Sequence, residues 1–102
     1  MLEKLEAIKA RFEELGVALS NPEVVNDNKK YKQLSKEYRS LEKIVSERNK
    51  YAKVLDDIAF NKEVLNSDDD EMREMAKDEL PQLQAEKEEL EKNIRNMLIP
   101  KD

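Results

Sequence analysis

The side chains best placed to do chemistry in this sequence are cations. Lys29, Lys32, Lys36, Arg39, Lys43, Lys50 and Lys53 follow one another at intervals of three and four, with a single gap of seven. At 100° per residue this rhythm gathers them on one face of an α-helix. A stripe of Lys and Arg of that length suits a phosphate backbone, and the first five, Lys29, Lys32, Lys36, Arg39 and Lys43, are the candidate contacts. Positions 28–55 hold nine Lys and Arg against three Glu, a net of +6, and positions 68–96 hold eleven acids against five bases, a net of −6, in a chain whose total is −5. On charge alone the simpler reading is a solvated helix exterior balanced by the acidic segment, because charged runs on helices are common.

Other chemistries are poorly supplied. The chain has no His and no Cys, so a Ser nucleophile would lack its usual base, and disulfides and the common zinc sites lack their ligands. Carboxylates are abundant, but on exposed helix faces they remain solvated and do little acid–base work. No enzyme activity, cofactor, metal or small-molecule substrate is therefore expected. The run Asp68-Asp69-Asp70-Glu71 lacks the alternating ligands and the Gly that a calcium loop needs, and reads instead as the acidic start of a helix capped by Ser67. Tyr31, Tyr38 and Tyr51 are interleaved with cations, as in platforms that stack nucleic-acid bases. Their spacing along an apolar stripe favours core packing, with the phenol tips reaching water.

The elements that must carry these residues are long helices. One Gly, three Pro and 42% charged residues in 102 leave out the punctuation of a many-stranded sheet. An apolar fraction of 38% suits helices that bury one narrow stripe and wet the rest. Leu5, Phe12 and Leu19, with Ile8 and Leu15 between them, predict a first helix over about 2–19. Pro22 bars Asn21 from the helical region and opens a new short turn. Tyr31, Leu34, Tyr38, Leu41, Val45, Arg48, Ala52 and Leu55 form a heptad seam flanked by Ile44, Tyr51 and Ile58, which predicts a second helix over about 27–61 packed on two neighbours. The cationic stripe is offset by two residues from this seam and lies nearly opposite it. A third helix over about 68–98 carries Met72, Met75, Ala76, Leu80, Leu83, Leu90, Ile94, Met97 and Leu98, with Lys87 at the seam and Pro81 expected to kink or split it.

Short connections imply antiparallel neighbours, so the expected fold is all-α: a single domain over 1–102, built as an antiparallel bundle of three long helices with coiled-coil-like packing. An elongated hairpin of the second and third helices, with the first packed at one end, is the variant. The acidic amphipathic start is unlike a secretion signal, and no apolar run approaches the roughly 18 residues of a membrane span. A cytoplasmic, membrane-free protein is the expectation.

Three segments, in order, resemble the N-terminal helical domain of the bacterial class I peptide chain release factors. The first is LEAIKARFEELGVALSNPEVVNDNKKYKQLSKEYRSLEKIV from Leu5 to Val45, the second runs from Asp70 to Ala76 and on through Asp78-Glu79-Leu80, and the third is Leu98-Ile99-Pro100-Lys101-Asp102. The lead-in is similar to factors of type 1 rather than type 2, while Pro81 and Ile99 depart from the pattern. The resemblance implies the first part of a longer factor that directs peptide release at stop codons, UAA and UAG in the family. A separate tripeptide would read the codon and a Gly-Gly-Gln loop would promote hydrolysis, and neither is present here. The implied partners are the ribosome, at the base of the large-subunit stalk with its rRNA and ribosomal protein, and the class II release-factor GTPase. Two other readings compete. One is a coiled-coil dimerisation or scaffold protein, with Arg48 and Lys87 setting register. The other is a tRNA-gripping helical hairpin, for which a less acidic chain is expected.

Overall fold

The structure, a computed structural model, describes residues 2–100. Met1 and the Lys101-Asp102 end of the third segment lie outside them. Among the described residues all regular structure is helical: α1 is Leu2–Leu19, α2 is Pro22–Val25, α3 is Asn28–Val64 and α4 is Asp70–Leu98. None of these helices is long and apolar enough to cross a membrane. The chain forms two compact units, Met1–Ser46 and Glu47–Asp102, and α3 contributes to both.

In the first unit the turn between α1 and α3 is built from local hydrogen bonds. The Ser20 hydroxyl donates to the Gly16 carbonyl at 3.2 Å as α1 ends. Asn21 then accepts the Glu23 N–H on its side chain at 2.9 Å, and Pro22, which has no N–H to satisfy, occupies the first turn of α2. Where Pro22 predicts only a short turn, the chain forms this four-residue helix, which buries Val24. Asp27 accepts the Lys30 N–H at 3.1 Å and so starts α3. Leu5 and Leu15 of α1 are fully buried, and Val45 of α3 is buried with them. Between these levels Phe12 and Tyr38 stack, with ring centroids 4.3 Å apart and planes at 14°. Beside the stack, Arg11 donates through Nε and Nη2 to the two carboxylate oxygens of Glu37, each at 2.8 Å. Residues 11 and 12 thus meet 37 and 38, which sets the register of α1 on α3.

In the second unit Tyr51, Val54, Ile58 and Asn61 of α3 are buried, as are Ala76, Leu90 and Ile94 of α4. The buried face here is the flank of the seam, with Ala52 and Leu55 only half-buried. Asn61 is a polar residue in this face, and its side-chain amide donates to the Asp57 carbonyl at 2.8 Å, which removes the cost of an orphan donor. Tyr51 donates its hydroxyl to Glu91 at 2.8 Å, and Lys87 lies 3.5 Å from the same carboxylate. The seam lysine therefore serves an ion pair inside its own helix.

Three expectations are corrected. The cap of α4 is Asp69, which accepts from Glu71 and Met72, while the Ser67 hydroxyl accepts the Asp69 N–H one step earlier; the longer, charged side chain reaches two free amides at the positive helix end. Of the kink or split expected at Pro81, the split is overturned, since α4 is continuous through it. Its ring sits on an exposed face, where water can satisfy the carbonyl that loses its N–H partner. Met72 and Met75 are 42% and 62% exposed, and Phe60, which lines the same surface, is itself 62% exposed, so the apolar stripe of α4 is left uncovered at this end.

Stability should divide accordingly. Ile94→Ala is expected to lower the unfolding free energy by about 2–5 kcal/mol in denaturant titrations, and Met75→Ala by less than about 0.5 kcal/mol. Gly16 lies inside α1 without a positive φ, and a Cβ there would stand 3.7 Å from the Tyr38 ring, an ordinary contact. Gly16→Ala is therefore expected to raise stability by about 0.4–1 kcal/mol.

The pH dependence follows from three groups. Glu37 is held below the usual carboxylate value chiefly by the hydrogen bond from Arg11, and Glu91 chiefly by that from Tyr51, with Lys87 adding to it. Protons bind these groups more weakly in the fold than in the unfolded chain, so their stabilisation holds above the ordinary value of 4.5 and is lost as pH falls through the depressed values. Tyr51 is pushed above 10.0 by burial and then by Glu91. Its contribution holds below that value and is lost as pH rises through the raised one. In thermal melts across pH, Tyr51→Phe is expected to make both the acid and the alkaline fall in melting temperature shallower.

Candidate nucleic-acid interface

The five candidate cations all lie on the part of α3 that belongs to the first unit, and all five are exposed: Lys29, Lys32, Lys36, Arg39 and Lys43. The helix presents them because their complement, Leu34, Tyr38, Leu41 and Val45, is half-buried or buried. Lys50 and Lys53 continue the rhythm but belong to the second unit and have local partners. Lys50 lies 3.3 Å from Glu47 and Lys53 3.5 Å from Asp57. Among the described residues none of the first five forms an ion pair. Among the described residues the structure thus separates the stripe into five cations outside any ion pair and two within one.

Two glutamates, Glu37 and Glu42, lie within the span of the stripe, and the first does not neutralise it. The two oxygens of Glu37 are engaged by Arg11, whose own charge is in turn held more firmly by that carboxylate. This pair is exposed and screened, so its effect is directional: it fixes a carboxylate to the α1 side of α3. The sequence offered no signal for it, because positions 11 and 37 become neighbours only once the hairpin register is known. The Phe12–Tyr38 stack beside it was missed for the same reason.

The tyrosines divide. Tyr38 is in the stack and Tyr51 is buried, as core packing requires, but Tyr31 is 42% exposed. All residues from Asn28 to Gln33 are exposed, so the apolar stripe of α3 enters its packing only at Leu34. The acids read as a helix start do act as one: Asp69 caps α4, and Asp70 pairs with Arg73. Among the described residues no three potential ligands converge to hold a metal ion.

Residues 8–102 match the PCRF domain family. Among curated proteins, a peptide chain release factor 1 of Cytophaga hutchinsonii is 46% identical over the whole chain, which covers 29% of that protein. Proteins of the same name from Lactococcus lactis subsp. cremoris and Anaeromyxobacter dehalogenans are 46% and 43% identical, again over the whole chain and 29% and 28% of their own lengths. The chain thus spans less than a third of the length of these relatives. No solved structure is matched.

Proposed function

The chain belongs to the PCRF domain family, and from that premise we propose that it acts in translation termination, as the ribosome-docking helical domain of a type 1 peptide chain release factor. The reading is carried by one observation, the alignment of its whole length with proteins named peptide chain release factor 1. In this reading the domain lies toward the base of the large-subunit stalk, against rRNA and ribosomal protein, and takes part in communication with the class II release-factor GTPase. Codon reading at UAA and UAG and Gly-Gly-Gln-dependent hydrolysis belong to other parts of the factor. The present sequence, with its single Gly16, holds no such loop.

The five free cations of α3 are the surface that meets rRNA. A chain of net charge −5 can still bind a polyanion, because fields are screened over roughly 8 Å at physiological ionic strength and a phosphate responds to the charges nearest it. Docking through such a face depends on salt, since each phosphate neutralised releases counterions.

The triple substitution Lys32→Glu, Lys36→Glu, Arg39→Glu in a full-length factor is the test. Ribosome affinity is expected to fall by at least about tenfold, and the slope of log affinity against log salt to flatten by about two to three. Unchanged affinity and unchanged salt dependence would reduce the stripe to a solvated face.

A further inference from the structure

The fold uses two of its three tyrosines and leaves one over. Tyr38 is stacked on Phe12, and Tyr51 is 5% exposed with its hydroxyl on Glu91. Tyr31, 42% exposed, shares one open face of α3 with Lys32, Ser35, Lys36 and Arg39. Tyr31 and Ser35 stand one helical turn apart, and Lys32, Lys36 and Arg39 run beside them on successive turns.

A half-exposed ring has one use that the cations lack, which is to stack on a flat group, and the charge beside it selects what that group is attached to. Protein sites for unpaired nucleotides combine these two parts: an aromatic face for the base and a cationic track for the backbone. A-form duplex RNA offers only the track, since its bases are already stacked on one another. We infer that this face of α3 seats an unpaired nucleotide of RNA, with its base on the Tyr31 ring and its phosphates along Lys32, Lys36 and Arg39. The Ser35 hydroxyl is the polar group available to a base edge or a 2′-hydroxyl. This rests on the reading that the face meets RNA, and adds that it distinguishes unpaired from paired RNA.

The test uses the complete chain with ring-labelled tyrosine, titrated at low salt with a 12-nucleotide oligoadenylate, a 12-base-pair RNA duplex and a 12-residue polyglutamate peptide. The Tyr31 ring resonances are expected to move upfield with oligoadenylate alone. Tyr31→Ala should weaken oligoadenylate binding by about tenfold without changing its salt slope, and Tyr31→Phe should keep the affinity. The pair Lys32→Gln, Lys36→Gln should lower the slope by about 1.4. Tyr31→Ala binding as tightly as the parent chain overturns the inference. If the lysine variants still weaken binding in that case, the basic face stands as a purely electrostatic one; if they do not, both readings fall together. Absence of any oligoadenylate binding, or an equal Tyr31 response to the duplex or to polyglutamate, also overturns it.

Discussion

A helix that buries only one stripe of side chains must find a partner for that stripe, and every other feature of this chain is arranged around that need. With two-fifths of its residues charged, the chain has enough apolar side chains for narrow contacts and no more. Leu5, Leu15 and Val45 fill one unit, and Tyr51, Val54, Ile58, Leu90 and Ile94 fill the other. What the stripes do not use is left to water, and so it is the unburied faces that carry the character of the surface.

That surface is sorted by charge within each unit. On the first, five cations of α3 stand without carboxylate partners while Glu37 is turned to Arg11. On the second, cations pair with acids three or four residues away, as Lys50 does with Glu47, Lys53 with Asp57, Lys77 with Glu74 and Lys87 with Glu91. Pairs of this kind add little to stability when exposed. Their consequence is to quench local fields, and the absence of such pairs along residues 29–43 is what singles that face out.

Much of the architecture was legible in the residue spacing, because heptad-like repeats and the Ser-Asn-Pro-Glu turn are local signals. The segment from Leu34 to Val45 behaves as its periodicity requires, and the outward direction of the cationic stripe follows from the same arithmetic. What was not legible depended on pairing. Tyr31 and Met75 fit an apolar stripe but face water, since periodicity says which side of a helix is apolar and not where its partner stops. Val24 and the Arg11–Glu37 clamp needed the register of one helix on another. The choice of Asp69 over Ser67 as the cap of α4 turned on which side chain reaches two amides, a matter of one residue's geometry. Residue types alone separated none of the seven cations from one another; the acids beside Lys50 and Lys53 did so only through their rotamers.

The first unit closes on itself within 46 residues, and the residues that register its helices, Arg11 with Glu37 and Phe12 with Tyr38, are joined through one short turn. Such nearby pairings give a low contact order, so little loop entropy is lost before the packing energy is gained. As the polypeptide is synthesised from its N-terminus, α1 can dock on the first half of α3 before α4 has been made. The second half of α3 then grows as an extension of a helix already nucleated, which spares it the unfavourable first turn that an isolated segment would have to form.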